Sequence, residues 1–359
     1  MKSAKSGIVK PTPTDLMEDT CSGLDYGTRP DRMIGDITPI DRFFVRSHAP
    51  TPLIDAATWE LHVDGDGLEQ RLTYTYDDLC TGFPLVSMVR TVECAGNRRV
   101  LLGAELGVAF EGTQWGRGAI STAEWTGVRL RDLLAPAGIT SGACEVMPES
   151  LDAIRARRPL PLSKANADDT IVAFAMNGEP LPPDHGFPAR MLVSGWLGAA
   201  SIKWLGRIEV SEHAFHVPWT TEDYVLIGPD QPTDGTTHNR VITALPLSSL
   251  IELPWPARLQ PNRQLIRGRA FAGENRVTEV QYRIDDGPWH TAEITSPSSP
   301  GIWARWQFEW DPEPGDHLLR VRAIDDRGSV QPDSTPWNEL GYMHQSVLAH
   351  PVHVEDGRC

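Results

Sequence analysis

The sequence predicts an α+β domain followed by an all-β sandwich. Two observations carry this expectation. Up to about residue 240, short apolar runs alternate between strand-like and helix-like spacing, the signature of mixed structure. Beyond Pro246, Pro254, Pro256 and Pro261 helical spacing vanishes and strict alternation takes over, which marks a boundary. The 359 residues fit this division, since a domain takes roughly 150 residues. Three segments are expected: an extended N-terminal arm over 1–40, an α+β domain over 41–243 and a sandwich over 244–359.

The elements follow in order. Trp59, Leu61 and Val63 alternate with Glu60 and His62 before the Gly65-Asp66-Gly67 turn, which reads as a half-buried strand. A helix is expected from Thr75, with Asp78 completing a capping box. Val86 to Val92 reads as a strand. A second helix is expected after Thr126, with Leu130, Leu133 and Leu134 on one face and Gly138 near its end. Ile171 to Met176 reads as a buried strand leading into the hairpin turn Asn177-Gly178. In the C-terminal third, three sets alternate as strand faces: Val280, Tyr282 and Ile284; Trp306, Phe308 and Trp310; Leu319, Val321 and Ala323. Short strands separated by turns at this density make a sandwich.

Composition narrows the function. Lys+Arg 33 against Asp+Glu 48 leaves a formal charge of -15, a field that repels phosphate backbones and anionic lipid, so no nucleic-acid partner is expected. Met191 to Ala200 is the longest mostly apolar stretch, well short of the roughly 20 residues a membrane helix requires. Lys2 and Lys5 precede Pro11 and Pro13 without an apolar run, so the sequence as written is expected in the cytoplasm, or in the periplasm if a signal has been removed. Five cysteines, at 21, 80, 94, 144 and 359, form no CxxC pair, which argues against zinc ribbons and disulfide frameworks.

Chemistry concentrates in three segments. In Glu93-Cys94-Ala95-Gly96-Asn97-Arg98-Arg99 a cysteine stands at a strand end beside two guanidinium groups, which favour its thiolate and thereby a soft or high-valent metal. A lone cysteine is otherwise a buried apolar filler. In Phe43-Phe44-Val45-Arg46-Ser47-His48 an extended backbone would project Arg46 and His48 to one side. In Asp184-His185-Gly186-Phe187-Pro188-Ala189-Arg190, continued by Gly198 and Ser201-Ile202-Lys203-Trp204, small residues allow close backbone approach while His185, Arg190 and Lys203 can donate to a phosphate; alternatively they are ordinary solvated charges.

FFVRSH (43–48), ECAGNRR (93–99), the run Gly118 to Leu134, and DHGFPAR (184–190) with the later IKWLGRI together resemble the sulfite oxidase family over nearly the whole chain. The resemblance implies a sulfite-oxidase-type molybdopterin-binding domain followed by an immunoglobulin-like dimerisation domain, hence a homodimer. It implies that Cys94 is the protein ligand to molybdenum, and that Phe44, Arg46, His48, Asp152, His185, Arg190, Ser201, Ile202 and Lys203 contact the molybdopterin. It implies a substrate pocket of Arg46, Arg99, Trp115 and Tyr224 for a small oxyanion, with sulfite oxidised to sulfate. No His-Pro-Gly-Gly run or CxxCH stands in the sequence, so no haem is expected in this chain and electrons are expected to leave to an external acceptor such as a c-type cytochrome. One departure stands out: Leu340 occupies the place of a further pocket arginine, with Arg98 and Arg305 as candidates to compensate. The alternatives are nitrate reduction, against which Tyr224 speaks, another small sulfur substrate, and a non-catalytic cofactor-binding dimer.

Overall fold

The computed structural model describes residues 7–229, 231 and 239–356; Lys2, Lys5 and Cys359 lie outside them. Two sheets, one antiparallel and one mixed, build the first domain. In one, the strands run Glu179–Pro180, Thr170–Met176, Ile120–Arg129 and Leu85–Glu93 in spatial order, with Arg190–Val193 also paired to Thr170–Met176. In the other the order is Leu72–Thr75, Glu60–Asp64, Leu205–Ser211, Glu145–Ser150 and Leu160–Pro161. Only Glu60–Asp64 and Leu205–Ser211 pair in parallel among these strands. The inward residues Leu61, Val63, Leu133, Leu134, Leu205 and Ile208 are fully buried in one core, each leucine contributing about 2 kcal/mol by leaving water.

The expected local signals are present. Thr75 caps the helix Tyr76–Thr81, its hydroxyl accepting from the Asp78 N–H while the Asp78 carboxylate accepts from the Thr75 N–H. Asn177 and Gly178 both take positive φ, 53° and 80°, the geometry of a two-residue hairpin turn. The second helix forms later than expected: the strand Ile120–Arg129 runs on past Thr126, and the helix is the short Leu130–Leu134. Pairing on both sides, with Leu85–Glu93 and Thr170–Met176, extends the strand to Arg129.

The N-terminal segment is bent back onto the domain rather than extended. Met17–Asp19 and Tyr26–Thr28 form a hairpin, Tyr26 bridges to Val45, and Ile8, Met17, Tyr26 and Met33 are buried. The Val9 and Lys10 N–H groups donate to the Asp184 carboxylate, and Lys10 Nζ donates to the carbonyls of Ile40 and Phe43.

In the C-terminal region a four-stranded and a five-stranded sheet enclose a core that includes Val280, Trp306, Phe308, Leu319, Val321 and Ala323. The alternation in the sequence marks these inward faces correctly. One segment leaves this sandwich. Tyr342, with Leu340 and Met343 against it, packs into the core of the first domain, and the Met343 N–H donates to the Ala95 carbonyl at 2.8 Å.

Candidate active site

Cys94 stands where the strand Leu85–Glu93 ends. Its N–H donates to the Ala119 carbonyl and its own carbonyl accepts from the Asn97 N–H, both at 2.9 Å. Asn97 ties the loop across, donating to Glu93 Oε1 and accepting from the Ala119 N–H. Arg98 adopts φ 68° and forms a buried pair with Glu93 at 3.1 Å. The loop is therefore fixed by backbone and buried polar contacts before any ligand arrives.

Cys94 opens onto a cleft walled by both aromatic and charged side chains. Of the residues expected in the site, Phe44, Arg46, His48, Asp152, His185, Arg190, Ser201, Ile202, Lys203 and Tyr224 line this cleft with Cys94. Arg46 and His48 do share it as expected, but so does Ser47, because the segment is not a regular strand.

At one end the cations are buried and held by neutral groups. Lys203 Nζ donates to Ser47 Oγ and the Asp184 carbonyl, each at 2.8 Å. Arg190 donates to the carbonyls of His185 and Ser201 at 3.0 Å. Burial lowers Lys203 to about 7 and Arg190 to about 9, and holds His185 well below its ordinary value. His185 Nε2 is buried without a partner. Such a cluster costs stability until an anion enters it.

At the other end, the Tyr224 hydroxyl and His48 Nε2 share a hydrogen bond of 2.9 Å. Tyr224 takes φ 53° and stacks on Tyr342 at 5.5 Å, with the Arg158 guanidinium 5.6 Å from its ring centre. Burial raises Tyr224, keeping it a neutral phenol, and lowers His48 to about 3, keeping it a neutral imidazole. Arg46 donates to Asp25 at 3.1 Å and to the Ser47 carbonyl. Burial works against its charge, but the paired Asp25 carboxylate opposes this, and the guanidinium lies above its ordinary value.

Three expectations are corrected. Burial pushes the Cys94 thiol up, outweighing Arg46 and Arg99, so neighbouring cations alone do not make the thiolate; a bound metal ion would have to displace the proton. Arg99 and Trp115 do not line the cleft. Arg99 Nε donates to the Leu340 carbonyl at 3.1 Å and its Nη1 to the Thr113 carbonyl at 2.7 Å. Trp115 is 1 % exposed and stands edge-on behind Phe44 at 6.3 Å, its indole nitrogen without a partner. Neither candidate to compensate for Leu340 reaches the cleft: Arg98 is paired with Glu93 and Arg305 with Asp36.

The sequence reading gave no site role to Phe43, Ser47, Asp184, Trp204 and Trp219 on the cleft wall, nor to Asp25, Arg158 and Tyr342 behind it. Most of the first group adjoin residues that were found, so adjacency was their signal. Asp25, Arg158 and Tyr342 are brought in by the fold alone.

The donor set fits a molybdenum–pterin group. A single thiolate cannot hold a metal ion, and among the described residues no three His, Cys, Asp or Glu side chains gather for one, so the remaining ligands must come with the cofactor. Lys203, Arg190 and the unpartnered His185 Nε2 are donors of the kind that would meet its phosphate.

Residues 48–219 match the oxidoreductase molybdopterin binding domain, and residues 239–355 the Mo-co oxidoreductase dimerisation domain. The chain is 36% identical over 342 residues to mitochondrial sulfite oxidase of Mus musculus, covering 89% of this chain and 62% of that protein; it thus spans less than two thirds of that relative. It is 35% identical over 328 residues to sulfite oxidase of Gallus gallus, covering 86% of this chain and 71% of that one. Among solved structures, the sulfane dehydrogenase SoxCD of Paracoccus pantotrophus superposes with a TM-score of 0.81 at 30% identity, covering 92% of this chain and 87% of that chain.

Proposed function

Because the chain belongs to the two-domain molybdopterin-dependent oxidoreductases related to sulfite oxidase and SoxCD, we propose that it oxidises a small sulfur compound, sulfite first among the candidates. The observation that carries this reading is Cys94, fixed at the wall of a cleft that holds a buried anion cradle at one end and Arg46 with Tyr224 at the other.

When bound, the cofactor supplies oxygen-atom transfer: sulfite and water become sulfate, with release of two protons and two electrons. The chain does the rest. Cys94 gives a sulfur ligand. His185, Arg190 and Lys203 hold the pterin phosphate, and Phe43 and Phe44 wall the cleft. Arg46 orients a substrate oxygen through the N–H groups that Asp25 and Ser47 leave free, and the neutral Tyr224 phenol, fixed by His48, is placed beside it. The electrons pass singly to an external acceptor, for which the charge of -15 favours a basic carrier such as a c-type cytochrome. The second domain makes the protein a homodimer.

The test is steady-state assay of molybdenum-loaded protein, with sulfite plus ferricyanide against nitrate plus reduced viologen. Sulfite-dependent reduction of ferricyanide is expected. Nitrate turnover alone would replace this reading with nitrate reduction, and a molybdenum-free preparation from a cofactor-competent host would leave a binding protein.

A further inference from the structure

The substrate end of the cleft carries less positive charge than its arginines suggest, and a chain of contacts explains why. Asp25, 2 % exposed, accepts from Arg46 Nη1 and the Ser47 N–H at 3.1 Å and from Thr113 Oγ1 at 2.8 Å. The carbonyl of the same Thr113 accepts from Arg99 Nη1. Arg99 is thus drawn into the same network as Arg46, and a single carboxylate stands against both.

The loop from Asn338 to Met343 completes the withdrawal. The Asn338 side chain brackets it, donating to the Tyr342 carbonyl and accepting from the Tyr342 N–H, each at 2.9 Å. Gly341 turns at φ 61°. The loop thereby sets the Leu340 carbonyl on Arg99 Nε and the Tyr342 ring 5.1 Å from the guanidinium carbon. Gly96 and Gly112 make room on the remaining sides, where a Cβ would stand 2.9 Å from Nη2 and Nη1 respectively. Arg99 lends its charge to the region, but its Nε–H and an Nη1–H are spent on protein carbonyls. Of the charges on Arg46 and Arg99, the one buried carboxylate in their network offsets one, and His48 beside them is neutral.

We propose that Asp25 and the Asn338–Met343 loop set the substrate end to receive a singly charged sulfur anion, hydrogensulfite or an organic sulfinate, in preference to a dianion. This rests on the reading of the cleft as an oxidase site. Asp25 and Leu340 are specificity-determining through charge, and Tyr342 is a positioning residue that acts through Arg99 and Tyr224.

The test measures charge selectivity directly, by titration calorimetry of the molybdenum-loaded protein with sulfate, a dianion, and methanesulfonate, a monoanion of similar shape. Wild-type protein is expected to bind methanesulfonate at least as tightly as sulfate. A change of potential acts twice on a dianion, so Asp25→Asn should tighten sulfate about tenfold and methanesulfonate about threefold. Leu340→Arg should shift selectivity the same way, and it decides alone if Asp25→Asn does not fold. The inference is overturned if wild-type protein binds sulfate more tightly than methanesulfonate, or if the folded variants leave the ratio unchanged. Failure of the functional reading looks different: no turnover of sulfite or sulfinate, whatever the selectivity of binding.

Discussion

Single side chains at this site are defined by what they spend their bonds on. Cys94 is fixed through its backbone, so Cys94→Ser should keep the fold, with a melting temperature within a few degrees of wild type, while losing molybdenum by elemental analysis and all sulfite turnover. Lys203 is a buried cation without a carboxylate partner in hydrogen-bond contact. Its value falls from the ordinary 10.5 to about 7 on folding, so the unfolded chain binds one more proton between these values. Stability of cofactor-free protein therefore rises as pH increases from about 7 towards 10.5, and the penalty is fully present below about 7. Lys203→Met should remove this contribution to the pH dependence, as read from urea unfolding of cofactor-free protein at roughly pH 6.5, below the rise, and roughly pH 9, well within it.

Elements position these residues through close backbone approach. The hairpin after residue 16 delivers Asp25 to Arg46 because Gly118 lets it lie flat: a Cβ there would stand 2.0 Å from the Thr28 carbonyl oxygen, and that backbone is held by the Thr28 N–H donating to Gly118. Gly118→Ala should then cost more than about 2 kcal/mol in chemical unfolding and, by displacing the hairpin, should loosen Asp25 and shift anion selectivity towards sulfate. The helix Tyr76–Thr81 lies away from the cleft and depends on its cap. Thr75→Ala should cost about 1 kcal/mol in unfolding and leave sulfite turnover as in wild type.

At the scale of the whole molecule the second domain backs a site that the first domain lines. Leu340, Tyr342 and Met343 come from beyond the first domain yet pack into its core, and Tyr342 stacks on Tyr224. Trp303 is likewise buried there, its indole N–H donating to the Asp36 carbonyl at 2.9 Å. The first domain expressed without the second should consequently expose apolar surface, seen as increased dye binding, and should lose sulfate binding. The overall charge of -15 predicts that turnover with a basic one-electron acceptor falls as ionic strength rises, while turnover with a small neutral acceptor does not. Among the described residues no helix is long and apolar enough to cross a membrane.

The sequence by itself determined the two-part architecture, the alternating faces of the sandwich, the Thr75 cap, the Asn177-Gly178 turn and most of the cleft, because each is written in local spacing or in a contiguous motif. Tertiary structure alone decided what the charges do. Arg99 adjoins the cysteine loop in sequence and looks free there, but a carbonyl from residue 340 and another from residue 113 claim it. Asp25 carries no motif and lies far from Cys94 along the chain, yet it is the carboxylate on Arg46. The cations beside Cys94 promised a thiolate, and burial overrode them. The reason is common to all three: charge acts through space and desolvation, and neither is set until distant segments have packed.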